Sequence, residues 1–241
     1  MTDIAQAIID RPFRTCLWYS CIGLVAILFA YQIFLFSNVV LYALVNPSST
    51  AFMRYQSSQL KDKEILFQWV DYAKMSNSIK RAVIASEDSG FTEHFGVEWG
   101  YIKKAFQYNL RQSENQNPRI RGGSTLTQQL AKNLFLSPSR SYLRKAQELI
   151  ITYMLETILS KKRILELYLN TSQFGESVFG IGAASQFYFK KPAQMLSNAE
   201  AARLAVLLPN PDDYGRRFRS AYLNRRTSII LRRMPLVEIP K

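Results

Sequence analysis

Residues 122–133 have the sequence GGSTLTQQLAKN, which predicts a glycine loop followed by a capped helix. Glycine lets a ligand approach the main chain closely. Thr125 and Gln128 have the spacing of a capping box at the helix start. A helix N-terminus attracts anions, and Lys132 lies two turns along on the same face as Thr125. The stretch therefore predicts a site for an anionic or sugar-like ligand, and the alternative is a helix that is capped for stability alone.

The composition indicates one domain of ordinary size with an anionic partner. The chain has 241 residues, of which 48% are hydrophobic, and a formal net charge of +13. A strongly basic balance favours binding to phosphate groups, anionic lipid or nucleic acid. The two cysteines, Cys16 and Cys21, both lie in an apolar N-terminal segment. The main domain therefore has neither a disulfide nor a thiol nucleophile.

The apolar segment near the N-terminus predicts a transmembrane helix. Residues 15–53 contain no Asp, Glu, Lys, Arg or His, and residues 15–37 are long enough to cross a bilayer. No small-x-small cleavage site follows, which indicates an uncleaved anchor. Arg11 and Arg14 precede the segment, so the positive-inside rule places residues 1–14 in the cytoplasm and the main domain outside. The alternative is a buried core helix.

The rest of the chain divides by composition into three parts. Residues 38–70 form a juxtamembrane segment, residues 71–215 form the main domain, and residues 216–241 form a basic C-terminal tail. The tail is expected either to bind anionic headgroups electrostatically or to be a solvated basic end. Its arginines are Arg216, Arg217, Arg219, Arg225, Arg226, Arg232 and Arg233.

Apolar spacing makes the main domain mainly α-helical. It predicts helices over residues 76–86 and 141–160. Ser197 and Glu200 make a second capping box before a further helix. No alternating pattern is long enough to predict a strand. Residues 112–123 are polar and end in glycines, which predicts a mobile loop.

Residues 87–96, EDSGFTEHFG, predict a catalytic carboxylate. Glu87 follows an apolar stretch, and partial desolvation there raises the pKa of a carboxyl group towards that of a useful general base. The alternative is a solvated acidic turn. His94 is the single histidine of the protein. It cannot contribute to a multi-histidine metal site, and we expect a hydrogen-bonded structural residue.

Glu148 is a second carboxylate of interest, in the predicted helix over residues 141–160. Arg144 and Lys145 lie one turn before it on the same face, and Arg140 lies one turn earlier still. The three cations predict a cradle for a phosphate-bearing leaving group, with Glu148 ordering them or helping to bind a metal. The alternative is a common ion-pair ladder on a helix surface.

With these residues in place, the chain resembles the peptidoglycan glycosyltransferases of glycosyltransferase family 51. Five motifs of that family occur in order over about residues 70–215. They begin with Glu87-Asp88-x-x-Phe91, Gly122-Gly123-Ser124-Thr125, Arg144-Lys145-x-x-Glu148, Ile164-Leu165-Glu166-x-Tyr168-Leu169-Asn170 and Glu200-Ala201-Ala202-Arg203. Glu98 stands where the family often has Asp, a departure that touches none of the residues assigned to chemistry.

The resemblance implies a lysozyme-like, mainly α fold and lipid II as the substrate. The implied reaction joins disaccharide-pentapeptide units through β-1,4 bonds, inverts the donor anomeric carbon and releases undecaprenyl diphosphate. A diphosphate leaving group is already acidic, so it needs no proton donor of the kind glycosidases use. It needs cations where its charge develops. No cofactor is obligatory, and a divalent cation, Mg²⁺ or Mn²⁺, is allowed with Glu148 as its candidate ligand.

The same resemblance assigns roles by position. Glu87 is the base that takes a proton from the acceptor's 4-hydroxyl, Asp88 supports it by hydrogen bonding, and Glu148 organises the diphosphate end. The residues expected to bind substrate are Asp88, Phe91, Ser124, Thr125, Gln128, Gln129, Lys132, Asn133, Arg140, Arg144 and Lys145. The implied partners are lipid II and the growing glycan strand at the outer face of the bacterial inner membrane, with division or elongation proteins as further candidates.

Two other functions fit parts of the pattern. A lytic transglycosylase or lysozyme shares the fold class and a catalytic glutamate, but it has no use for a diphosphate-binding cation cluster. A membrane-tethered basic binding module would account for the net charge of +13. No aromatic platform is interleaved with the basic residues and no nucleic-acid motif is present, so nucleic acid is not an expected partner.

Overall fold

The computed structural model describes residues 2–60, 63–112, 122–139 and 141–240. Within them the chain is mainly α-helical, as the sequence predicted. The helices are α1 Thr2–Leu44, α2 Ala51–Gln59, α3 Asn77–Glu87, α4 Trp99–Gln112, α5 Leu126–Phe135, α6 Tyr142–Ile158, α7 Lys161–Thr171, α8 Gly180–Phe189, α9 Asn198–Ala205, α10 Pro211–Arg216 and α11 Ala221–Arg233. The strands are β1 Leu66–Phe67, β2 Gln173–Gly175 and β3 Val178–Phe179.

Helix α1 contains the predicted membrane segment and continues beyond it. Its Thr15–Leu44 part, 30 residues, is long and apolar enough to cross a membrane. Only 11% of its most apolar window is buried within the protein. A core helix would be covered on most sides, so the segment is consistent with a membrane anchor and not with the core-helix alternative.

The C-terminal part of α1 is hydrogen-bonded to the main domain. The side-chain amides of Gln32 and Gln147 donate to each other's oxygen, at 2.8 and 3.0 Å. Farther along, Arg163 donates from its guanidinium to the carbonyl oxygens of Tyr42 and Val45. Because Arg163 follows the end of α6 and Tyr42 lies beyond Gln32 on α1, these contacts make α1 and α6 run parallel.

The core lies where α3 packs on α9 and where α5 packs between α6 and α7. Apolar residues at helical spacing on these elements face one another, which is the pattern that buries a continuous core. Side chains from the end of α1, including Leu35 and Val39, join the same core. Fully buried members include Ile79, Ile84, Leu126, Leu130, Ile151, Leu155, Ile164 and Leu165.

The small sheet was not predicted, because its strands have only two or three residues each. Strand β3 is central, parallel to β1 and antiparallel to β2. Gly180 follows β3 with φ +77°, and a Cβ there would lie 2.5 Å from the carbonyl oxygen of Asn170. Only glycine fits this turn, which leads the chain from the sheet into α8.

The helix boundaries follow the caps that the sequence predicted. Both capping boxes are present, with Thr125 and Gln128 at the start of α5 and Ser197 and Glu200 at the start of α9. Helices α3 and α6 begin after capping serines and match the predictions for residues 76–86 and 141–160. Most of the loop predicted at residues 112–123 lies outside the described residues.

The C-terminal segment, set apart in the sequence as a basic tail, contains a packed helix. Leu223, Thr227 and Ile230 lie at helical spacing along α11 and are buried. This face packs on α9 and α3. Helix α11 is therefore part of the folded body, and the exposed arginines occupy its outer side.

Candidate functional site

Glu87 ends helix α3 and is held by two donors. The Ser86 hydroxyl lies 2.9 Å from its Oε1, and the Gln129 amide donates to its Oε2 at 3.1 Å. Burial raises the pKa of this carboxyl, and the two hydrogen bonds oppose that shift only in part. Glu87 nevertheless keeps some exposed surface. A half-open carboxyl with a raised pKa is suited to take a proton from a substrate hydroxyl.

Asp88 is used within the protein. Its Oδ1 lies 2.8 Å from Nε2 of His94, and its Oδ2 accepts from the backbone N–H of Leu126 at 2.9 Å. The hydrogen bond to Glu87 that the resemblance implied is therefore not among those formed. The predicted anion site at the N-terminus of α5 is filled by this carboxylate. His94 is hydrogen-bonded, as expected of a structural residue.

Several predicted substrate-binding residues are buried. Thr125 and Gln128 cap α5, and the Thr125 hydroxyl also donates to the carbonyl oxygen of Gly96 at 2.6 Å. Phe91 is fully enclosed in the core, and Asn133 is buried on α5. These side chains support the site from within the protein. Their direct contact with a substrate stays a prediction.

A cluster of opposite charges surrounds Glu148 on α6. Its carboxylate is 4% exposed and accepts from Arg144 at 2.7 Å and from Lys145. Lys145 also donates to the Ser124 hydroxyl at 3.1 Å, which ties the glycine run to α6. The cluster is partly buried, so it differs from the surface ion-pair ladder that was the alternative. Glu148 orders both cations, as predicted from their spacing.

Lys132 adds a further positive charge to this cluster. Burial is the main cause that lowers its pKa; Glu148 opposes the shift, while Arg144 and Lys145 add to it. No hydrogen bond or ion pair among the described residues engages its ammonium group. Phe52 from α2 lies 5.9 Å away as an aromatic wall. An unpaired, partly desolvated cation beside two others favours a multiply charged anion.

The Glu148 site does not fit a divalent cation. Both carboxylate oxygens already accept from cations, and Lys132 adds a third positive charge nearby. Mg²⁺ and Mn²⁺ prefer clusters of free oxygen ligands. Asp88, His94 and Glu98 bring polar atoms within 4.8 Å of one another. Asp88 and His94 use those atoms on each other, and we assign no ion there.

Helix α5 joins the two halves of the site. Gln129, which contacts Glu87, and Lys132, which faces the Glu148 cluster, are three residues apart on one helix face. Along α5 the site thus has a carboxyl at one end and cations at the other. Arg140 lies outside the described residues, so its predicted part in the cation cluster stays a prediction.

A second network of buried hydrogen bonds supports the site, and it was not predicted from the sequence. Glu156 accepts from Thr127 at 2.5 Å and from Lys161 at 2.8 Å, and Lys161 also donates to the carbonyl oxygen of His94 at 2.7 Å. These bonds join α5, α6 and α7 to the loop after Glu87. The signal in the sequence was Glu156, which lies on the apolar side of the predicted helix over residues 141–160. A glutamate on a buried face is expected to have a buried partner.

The chain is similar to known proteins over most of its length. A family model described as "Transglycosylase" matches residues 55–235. The chain belongs to the transglycosylase family. The matched range includes α11, in agreement with the packing of that helix.

Curated relatives cover nearly the whole enzyme. A biosynthetic peptidoglycan transglycosylase of Bordetella pertussis is 53% identical over 87% of this chain and 88% of the relative. Proteins of the same name from Bordetella avium and Herminiimonas arsenicoxydans are 51% and 47% identical, over 90% and 95% of this chain and 92% and 100% of the relative. The enzyme is therefore a glycosyltransferase of peptidoglycan synthesis with the lysozyme-like, mainly α fold that the resemblance implied.

Proposed function

We propose that this enzyme polymerises lipid II into β-1,4-linked glycan strands and releases undecaprenyl diphosphate. The proposal rests on two groups along α5. A carboxyl of raised pKa lies at one end of the site, and a cation cluster lies at the other. The residues that carry it are Glu87 as the base and Lys132, Arg144 and Lys145 as the diphosphate site, with Glu148 holding the last two.

The chemical step needs one base and no acid. Glu87 takes the proton of the acceptor's 4-hydroxyl while that oxygen forms a bond to C1 of the donor sugar. The bond from C1 to the diphosphate oxygen breaks, and the leaving group takes the electron pair. Attack opposite the leaving group inverts the anomeric carbon. Lys132 and its neighbours stabilise the charge that develops on the diphosphate.

The unpaired ammonium of Lys132 is the observation that favours a diphosphate leaving group. A glycan-cleaving enzyme must protonate a poor leaving oxygen and keeps a second carboxyl for that purpose. The second carboxylate of this site, Glu148, accepts from Arg144 and Lys145 at its two oxygens, so neither oxygen faces a leaving group as a proton donor. This arrangement supports synthesis over cleavage.

The contact of α1 with α6 supports a substrate held at the membrane surface. A span of about 20 residues crosses the hydrocarbon core, so one beginning at Thr15 ends close to Gln32. Gln147, the partner of Gln32, lies next to Glu148 in the chain. The cation cluster is thus at the level where the diphosphate of a membrane-bound lipid would lie.

The start of α6 also lies towards the proposed membrane. Because α6 runs parallel to α1 and rises about 1.5 Å per residue, Tyr142 lies about 7 Å closer to the membrane centre than Gln147. Tyr142 and Leu143 are 96% and 85% exposed. Exposed apolar side chains at that depth fit an interfacial setting.

We infer the same placement for the whole enzyme. The two arginines before the apolar part of α1, Arg11 and Arg14, favour residues 1–14 in the cytoplasm, so the main domain would face the periplasm from the inner membrane. We keep the domain bounds proposed from the sequence, with the addition of α11 to the body. Lipid II and the growing strand are the proposed partners, and division or elongation proteins remain candidates.

The test is polymerisation of purified full-length protein on lipid II in detergent, with and without a chelator. We expect glycan polymer in both reactions. Glu87→Gln should abolish polymer formation while the far-UV circular dichroism stays unchanged. In parallel, finished glycan is incubated with the same protein and should not shorten.

Three outcomes would contradict the proposal in different ways. Shortened glycan without polymer would assign the enzyme to cleavage. Near-normal polymer from Glu87→Gln would remove the base assignment alone. Loss of polymer with a chelator would show a metal requirement that the Glu148 cluster does not explain.

A further inference from the structure

A hydrogen-bonded chain from three helices ends at Glu87. Tyr168 of α7 is 1% exposed, and its hydroxyl donates to Oε1 of Gln129 at 2.9 Å. Gln129 of α5 then donates from Nε2 to Oε2 of Glu87 at 3.1 Å. Tyr168 belongs to a family motif without an assigned role, and among the described residues its hydroxyl is linked to Glu87 through Gln129.

The direction of this chain is set by chemistry. An ionised carboxylate only accepts, and a glutamine amide has its acceptor on one side and its donors on the other. A donor that meets the oxygen of Gln129 favours the orientation in which its N–H faces Glu87. Burial raises the pKa of Tyr168 well above its ordinary value. The phenol therefore stays protonated and can supply that donor.

We propose that Tyr168 is a positioning residue for the base, because its hydroxyl holds Gln129 in the orientation that donates to Glu87. This inference rests on the proposed role of Glu87. Without the hydroxyl the amide can turn over and offer its oxygen to Glu87. That arrangement is favourable only when Glu87 carries a proton, and a protonated Glu87 cannot take one from an acceptor sugar.

Other groups also act on Glu87 and stay in place when Tyr168 is changed. The Ser86 hydroxyl binds its other oxygen. Arg226 of α11 lowers the pKa of Glu87 by its charge, while the neighbouring carboxylate of Asp88 raises it. A substitution that removes only the Tyr168 hydroxyl therefore reports on the amide of Gln129.

The experiment is Tyr168→Phe in the full chain, which keeps the ring and its packing. We expect the acidic limb of the rate–pH profile for lipid II polymerisation to move up by about one pH unit, as for loss of a hydrogen bond to a charged group. The rate on the high-pH plateau should fall only a few-fold. A merely structural role would lower the rate equally at every pH, and that result would overturn the proposal.

A second readout needs no substrate. Carbon-13 NMR of labelled glutamate side chains follows the titration of Glu87 directly, and Glu87→Gln identifies its signal. Tyr168→Phe should raise the Glu87 midpoint by the same amount. An unchanged midpoint would overturn the inference even if wild-type protein polymerises lipid II. A raised midpoint in a protein that makes no polymer would instead contradict the proposed function.

Two control variants complete the test. Tyr72→Phe removes another buried hydroxyl, which donates to the carbonyl oxygen of Pro240 at 2.9 Å, and should leave the Glu87 midpoint unchanged. Gln129→Met removes the amide and should raise the midpoint. Adding Tyr168→Phe to Gln129→Met should then give no further shift, since the two residues act through one path. An additional shift in the double variant would contradict that path.

Discussion

Gln32 and Gln147 exchange two hydrogen bonds, so the membrane helix is bonded to α6 beside the cation cluster. The two part-buried amides satisfy each other, and replacing one of them leaves the other without its partner. The contact makes α1 a fixed part of the catalytic body as well as an anchor.

We expect Gln32→Leu to destabilise the protein by about 1–2 kcal/mol, because the half-buried amide of Gln147 loses its partner. Thermal unfolding in detergent, followed by circular dichroism, measures the change. Gln32→Leu combined with Gln147→Leu should recover most of the loss, since no unsatisfied amide remains. Equal stability of the single variant and wild type would show that the pair contributes nothing to docking.

Lys132→Ala should slow polymerisation by about 10²-fold, by analogy with removing one donor that stabilises a developing oxyanion. Steady-state rates on lipid II measure the effect. Lys74→Ala is the matched control, since the side chain of that lysine is 71% exposed and, among the described residues, its ion pair is with Asp71. An unchanged rate for Lys132→Ala would leave the diphosphate site to the arginines and Lys145.

The raised pKa of Glu87 predicts a stability effect of known sign. Between the ordinary value of 4.5 and the raised pKa, the folded state binds more protons than the unfolded state. Stability from this group is therefore present at low pH and falls as the pH rises through that window. Glu87→Gln should melt at a higher temperature than wild type at pH 7, with the difference disappearing towards pH 4.

Glu176→Gln is the control for that pH dependence. Lys63 lowers the pKa of the Glu176 carboxyl, so this group contributes stability above pH 4.5 and loses it on acidification. Its variant should show a small effect of the opposite sign at neutral pH. A Glu87→Gln melting temperature that does not change with pH relative to wild type would contradict the buried environment of Glu87.

Gly96→Ala should destabilise the protein strongly. Gly96 has φ +77°, and an added Cβ would lie 2.8 Å from side-chain atoms of both Glu156 and Thr152. The backbone strain alone costs about 1–3 kcal/mol, and the contacts would disturb the buried Glu156 network. Chemical unfolding measures the loss. Gly100→Ala in α4 has no atom within 4 Å of its new Cβ and should stabilise by about 0.5–1 kcal/mol.

Local signals in the sequence predicted the parts of the fold that depend on neighbours in the chain. The capping boxes at Thr125 and Ser197 and the spacing in α6 are of this kind. The packed face of α11 also had a readable signal in Leu223, Thr227 and Ile230, but the arginines around it dominated the interpretation.

Partners far apart in the chain could not be predicted in this way. The carboxylate of Asp88 meets the N–H of Leu126 only because the fold brings α3 and α5 together. Tyr168 belongs to a family motif without an assigned role, and its hydroxyl gained one from Gln129, 39 residues away. The site was thus predicted at the level of residue types, and its hydrogen-bond partners came from tertiary structure.

The single helix that carries both Gln129 and Lys132 also sets a length scale for inhibitors. The two residues are about 4.5 Å apart along the axis of α5, because each residue rises 1.5 Å. A small molecule that offers an anion to Lys132 and a hydroxyl to Glu87 therefore has to match two positions less than one helical turn apart on α5. A mutation that gave resistance by widening the site would have to move α5. That movement would separate Glu87, the base, from the cations beside Glu148.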